Sequence, residues 1–256
     1  MRTSTSKRRP VLTTKTSVAL LLFFLLLFLA GLRLVLTNPY GMHDQPHARQ
    51  GVIDLRGVTL DERHTLALDG EWKFYPRRFI ASDPEDDPAA EPAWLNVPGN
   101  WGGVTAPDGS KANGYGTYRL RILLGDRPDA SYKLMIKDIQ TSFRLYMNGQ
   151  AEEGLGQISK TPAGHEAEVN AALFTLPQAA EIDLMIEVSN FENPLRGGIA
   201  RSIKFGESHA INSERTYNVG MQLITLAVLL LHAVYIGIVY LFSRKNRLFL
   251  WFTLLL

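Results

Sequence analysis

The 256-residue chain contains no cysteine. Disulfides, thiolate catalysis and cysteine-ligated zinc are thereby excluded. It also has no excess of either charge: 27 Lys and Arg stand against 25 Asp and Glu. That balance gives no electrostatic case for nucleic acid. No Gly-x-Ser-x-Gly elbow, phosphate-cradling glycine loop or His-Glu-x-x-His helix is present. Glu152 and Glu153 are adjacent, so on a strand they point to opposite faces and cannot flank one bond. His43 and His47 are four apart, but Pro46 and polar neighbours argue against a helix, and a solvated linker is expected. The acidic run Ser82 to Pro88 lacks the spacing and central glycine of a calcium loop and reads as solvated. No catalytic residue, metal site or cofactor is therefore expected.

Long apolar runs are present, and they divide the chain. Residues 1–16 form a basic tail carrying Arg2, Lys7, Arg8, Arg9 and Lys15. Residues 17–36 are apolar apart from Gly31 and Arg33, and read as an anchor helix or a signal peptide. Residues 37–50 are a linker, 51–208 an exported domain, and 209–218 a polar juxtamembrane connector. Residues 219–242 are again long and apolar enough to span a bilayer. Arg244, Lys245 and Arg247 mark 243–247 as a cytoplasmic turn, and 248–256 begin a further span. The basic clusters place both ends inside and residues 51–208 outside. The short third run implies a longer protein with more spans. Asn218, Gln222, Thr225 and His232 fall on one side of the second helix, where neighbouring helices would face them.

Within 51–208 the apolar residues alternate. Tyr118, Leu120, Ile122 and Leu124 share one face, with Arg119 and Arg121 on the other. Phe143, Leu145 and Met147 oppose Ser142, Arg144 and Tyr146. Ile182, Leu184, Ile186 and Val188 point inward, and Asp183 and Glu187 outward. Further strands are expected at Val52 to Leu55, Glu71 to Tyr75, Trp94 to Val97 (an edge), Tyr132 to Ile136, Leu173 to Leu176 and Ile203 to Phe205. Asn148-Gly149 is a hairpin turn signal. Residues 150–170 are weakly patterned. Eight to ten strands without helical periodicity predict an antiparallel jelly-roll β-sandwich, large enough at roughly 150 residues to be held by its core alone.

Two loops offer ligand-binding candidates. Asn100 and Trp101 follow Pro98-Gly99 and lead into a glycine-rich loop, where an exposed indole would be a platform for a sugar ring. Asn190, Phe191 and Arg196 lie in a second loop with suitable polar groups. Trp72 and Trp94 fall in strand patterns and are expected in the core.

The ordered set Leu68-Asp69-Gly70-Glu71-Trp72-Lys73-Phe74-Tyr75, Val97-Pro98-Gly99-Asn100-Trp101, Gly116-Thr117-Tyr118-Arg119-Leu120 and Leu145-Tyr146-Met147-Asn148-Gly149 resembles the extracellular jelly-roll domain of bacterial seven-transmembrane receptors with diverse intracellular signalling modules. Val188-Ser189-Asn190-Phe191 and Gly197-Gly198-Ile199 fit the same pattern. The resemblance implies an all-β, galactose-binding-like sandwich flanked by transmembrane α-helices, and a small, carbohydrate-like extracellular ligand. It also implies a cytoplasmic output module in cis: a histidine kinase of a two-component system, a diguanylate cyclase or a phosphatase. The visible chain itself would not be an enzyme, its partners would be the ligand and the lipid bilayer, and a homodimer is compatible with it. The same motifs resemble the sugar-binding domain of family 2 glycoside hydrolases. Two alternatives stay open: a tethered carbohydrate-binding module without signalling, and a truncated membrane-anchored glycosidase.

Overall fold

In the computed structural model the described residues are 31, 39–42, 44–87, 89–102, 104–105, 112–126 and 130–242; the side chains of 232 and 235–242 fall outside that set. The chain divides into two units, Met1–Pro39 and Tyr40–Leu256. The expectations for the basic tail, the first apolar run, the cytoplasmic turn and the third run concern residues outside those described, Gly31 apart.

The second unit carries thirteen strands among its described residues: β1 (Val52–Asp54), β2 (Leu66–Ala67), β3 (Gly70–Pro76), β4 (Ala93–Val97), β5 (Gly114–Leu123), β6 (Tyr132–Ile136), β7 (Ile139–Gln140), β8 (Ser142–Met147), β9 (Gln150–Ala151), β10 (Ala172–Thr175), β11 (Glu181–Asn190), β12 (Gly198–Ile199) and β13 (Lys204–Glu207). The helix α1 (Ser208–Phe242) follows. A seven-stranded sheet runs β4-β3-β5-β11-β8-β9, with β1 parallel to β5. A four-stranded sheet runs β10-β6-β13-β2, and β12 pairs with β7. Apart from β1, the named strand pairs are antiparallel.

The alternation in the sequence builds the core. Trp72, Phe74, Tyr118, Leu120, Ile122, Leu145, Leu184, Ile186 and Val188 are buried on the inner face of the larger sheet. Leu66, Leu134, Ile136, Phe174 and Phe205 come from the smaller one. A half-buried strand must hide its apolar face against another layer, and two such sheets satisfy each other. Each fully buried Leu, Ile or Phe contributes about 1.5–3 kcal/mol of transfer free energy.

Three expectations change. Ser142 and Tyr146 are buried, not solvated, and only Arg144 of that set is exposed. Glu187 is fully buried, although its strand position faces away from the core. The cause is common to both: irregular segments cover part of the larger sheet's outer face. Residues 40–42 and 44–50, within the stretch 37–50 expected as a linker, lie against the sandwich. The Ala48 amide donates to the Asp69 carbonyl, and the Gln45 side chain accepts from the Ala67 amide.

Strand β13 enters α1 directly, and the polar first turns of the helix are fastened to the smaller sheet. Ser208 donates its amide to the Ser131 carbonyl at 2.9 Å. Glu214, fully buried, accepts from the Thr65 hydroxyl at 2.5 Å and from Lys137 Nζ at 3.1 Å. Burial pushes its carboxyl upward, but the Thr65 hydroxyl and the Lys137 charge outweigh it and hold the group below the ordinary carboxylate range. Tyr217 packs edge-on against Tyr40 at 5.6 Å. Beyond Asn218 the helix turns apolar, and Val219, Leu223, Ile224, Leu226, Leu230, Leu231 and Val234 are exposed. Among the described residues no helix is long and apolar enough to cross a membrane. The side chains completing the 219–242 run, His232 among them, lie outside those described.

Candidate functional site

The structure brings the five sequence candidates together at one end of the sandwich, as a clasp. Gly99 donates its amide to the Ile199 carbonyl at 2.9 Å, and Trp101 to the Gly197 carbonyl at 3.3 Å. Asn100 gives its side-chain amide to the Leu195 carbonyl at 3.1 Å and accepts from the Gly197 amide at 3.2 Å. The Asn190 amide nitrogen reaches the carbonyls of Ala112, Asn193 and Arg196 at 2.9, 2.8 and 3.0 Å.

This geometry corrects the platform expectation for Trp101. Its ring is fully buried, lies parallel to Tyr118 at 6.5 Å, and meets Phe74 at 5.9 Å. The indole N–H is taken by the Ala112 carbonyl at 2.8 Å. Gly197 makes this possible, since a Cβ there would run into the indole and the Ala112 carbonyl. No face of Trp101 is left for a sugar. Asn190 is also buried, and its amide organises the loop. Phe191 is half-buried and edge-on to His165 at 5.5 Å. Asn100 and Arg196 alone of the five remain exposed.

Trp94 reverses its expectation. It lies on the edge strand β4 with its side chain outward, 45% exposed. Trp72 is fully buried, as its strand pattern implied.

A cleft the sequence did not reveal lies on the outer face of the larger sheet. Two segments wall it, residues 77–87 and 152–168. The first is stapled to the sheet by Glu187 and Thr117. Glu187 Oε1 accepts the amides of Ala81 and Ser82 at 2.9 and 3.0 Å; among the described residues its Oε2 has no hydrogen-bond partner. Thr117 accepts from the Ile80 amide at 3.2 Å and donates to the Arg78 carbonyl at 2.7 Å. The second segment is pinned by His165. Its ring nitrogens lie 2.8 Å from the Thr141 hydroxyl and 2.9 Å from the Ser189 hydroxyl. Burial lowers the His165 pKa, only partly opposed by Glu192, so the ring is held neutral.

Lys160 joins the two walls, reaching Asp83 at 2.6 Å and Asp86 at 2.8 Å. Desolvation would lower its pKa, but the two carboxylates outweigh that and raise it. The Lys160 hydrogen bond in turn depresses Asp83. The acidic run expected to be solvated is thus part of the cleft wall.

The cleft encloses about 650 Å³, lined by Phe79, Ser82, Arg144, Gln157, Glu166 and Glu168 among others. A second hollow of about 430 Å³ adjoins it at Arg144, Gly154 and Gly156. Among the described residues Arg144 has no carboxylate within ion-pair distance. A free guanidinium beside two carboxylates and an amide can hold a polyhydroxylated ligand through several charge-assisted hydrogen bonds. Also among the described residues, no three His, Asp or Glu stand where they could hold a metal ion.

No family model matches the chain, and no curated protein matches it. Among solved structures it is similar to a candidate β-galactosidase from Bacteroides fragilis, at 19% identity and TM-score 0.42, over 56% of this chain and 23% of that one. A β-glucuronidase from Ruminococcus gnavus in complex with uronic isofagomine aligns at 16% identity and TM-score 0.44, over 59% and 29%. A β-galacturonidase from Eisenbergiella tayi bound to galacturonate aligns at 17% identity and TM-score 0.39, over 60% and 26%. The chain thus spans less than a third of the length of each.

Proposed function

We propose that the chain is the sensory part of a bacterial membrane receptor. Its sandwich stands outside the cell membrane, binds a small saccharide-like ligand, and passes the event through α1 into a multi-helix bundle. An output module in cis would read that event on the cytoplasmic side. The observation that carries the reading is the passage from β13 into α1. No loop intervenes, the first turns are fastened to the smaller sheet, and the next turns present apolar side chains outward. At about 1.5 Å per residue, the 35-residue helix is about 52 Å long. A ligand can move it only by binding one arrangement of sandwich and helix better than another.

The exposed Val219-to-Val234 face supports a lipid or helix-bundle environment. The basic clusters at the two ends of the sequence support a sandwich on the outer side. Protease added to intact cells tests the placement, because it should cut within the described irregular segments of 51–208, and an uncut domain would refute it. Saccharide binding to the purified chain tests the sensory role.

A further inference from the structure

We infer that the ligand is a saccharide chain rather than a single sugar, and that it lies across the outer face of the larger sheet, from Trp94 on the edge strand to Arg144 at the cleft. This deepens the saccharide reading above and rests on it.

One register row crosses this face. Trp94 pairs with Lys73, Lys73 with Arg119, Arg119 with Met185, and Met185 with Tyr146. Cross-strand partners point to the same side of a sheet. The row therefore leads from an exposed indole, past two cations, to a buried tyrosine. The next row, Tyr75, Thr117, Glu187 and Arg144, brings the cleft arginine alongside. Four interstrand steps of about 4.8 Å make a track of about 19 Å. That length exceeds one sugar ring, and Lys73, Arg119 and Met185 stay partly exposed along the track, with Gly51 lying against the Lys73 side chain and the Gln50 amide donating to Glu71 at its Trp94 end.

The chemistry along the track is that of carbohydrate recognition. Trp94 offers a flat apolar face at the rim. An exposed aromatic by itself is ordinary, but here it is followed by fixed polar partners. Arg119 is held by Asp183 through two parallel bonds of 2.9 and 2.8 Å, so both groups are oriented and still partly exposed. Asn96 and Glu71 form the neighbouring cross-strand pair on the same side as Trp94. Arg144, with no ion pair among the described residues, and Glu166 and Glu168 close the far end. A planar apolar face at the rim, followed by preset donors and acceptors, suits a pyranose ring with its hydroxyls at the edges.

The test uses the full chain in detergent micelles, titrated by calorimetry with cello-, malto- and chito-oligosaccharides of one to six sugars. One series should bind with affinity rising with length. Trp94→Ala should weaken the longest member at least tenfold and the shortest little, Trp94→Phe should fall between, and Arg144→Gln should also weaken the longest. Melting temperatures of the Trp94 variants should stay within about 4 °C of wild type. If an oligosaccharide binds equally well to Trp94→Ala, or if Arg196→Ala is the damaging change, the track is wrong while the saccharide reading stands. If no series binds the folded wild type, the saccharide reading falls and the track with it. A wild-type dimer that ignores every sugar and dissociates on Trp94→Ala would make β4 a self-association edge and overturn the inference.

Discussion

Replacing Trp101 by alanine tests whether the clasp is structure or ligand site. The ring is fully buried against Tyr118 and Phe74 and donates its N–H to the Ala112 carbonyl. Truncating a buried Trp to Ala typically costs about 3–5 kcal/mol. The Ala112 carbonyl keeps a second donor, the Asn190 amide at 2.9 Å, so no orphaned acceptor adds to that cost. Against a total stability of about 5–15 kcal/mol, the loss is about a fifth or more. At about 2–4 °C per kcal/mol for a domain of this size, the melting temperature should fall by roughly 6–20 °C. Trp94→Ala, at 45% exposure, should cost within about 1 kcal/mol. Thermal melts followed by far-ultraviolet circular dichroism compare the two directly, without relying on tryptophan emission. A Trp101→Ala melt within 2 °C (about 0.5–1 kcal/mol) of wild type, or equal losses in the two variants, would refute the packing argument.

The remaining expectations concern the fastened elements. Glu214→Ala removes the partner of Lys137 and Thr65; because Lys137 is partly exposed and can relax into water, the cost should be about 1–3 kcal/mol, below that of a fully buried pair. Amide exchange at Ser208–Asn218 should rise in that variant, and unchanged exchange would show the helix held by other means. His165 is neutral in the folded state and takes up a proton near pH 6.5 when unfolded, so its contribution is complete above that pH and is lost as the pH drops toward the folded value. Denaturation midpoints should therefore decline from pH 7 to pH 5, and His165→Gln should flatten that slope. Lys160→Met should cost under about 1 kcal/mol, since the pair is partly exposed. It should still speed proteolysis within 152–168, and an unaltered cleavage rate would separate Lys160 from the cleft wall.

The strands that a reader could find from alternation are those whose one face meets the core. Tyr118 to Leu124 and Ile182 to Val188 announce themselves because every second residue is apolar, and the same rule located Tyr132–Ile136 with its ends correct. What alternation cannot reveal is a second layer on the outer face. Glu187 looks solvent-directed in sequence, because the residues that cover it, Ala81 and Ser82, lie more than a hundred positions away. Thr117, Ser142, Glu187 and Ser189 are short or polar residues at outward positions of three neighbouring strands. That coincidence becomes visible only when the register is known. The two tryptophans exchange roles for a related reason. Trp94 sits in a strand-like pattern, but on an edge strand where the outward position is open. Trp101 sits outside any pattern, yet Gly197 clears the space its ring occupies and the Ala112 carbonyl satisfies its nitrogen.

Because Glu207 ends a strand and Ser208 begins a helix, the twist of the smaller sheet and the azimuth of α1 are mechanically one quantity. Each residue inserted at that joint would rotate everything beyond it by about 100° and advance it by about 1.5 Å. Any output read from the helix should then oscillate with the number of added alanines, nearly in phase again after seven residues, about two full turns, whereas a flexible tether would show no such rhythm.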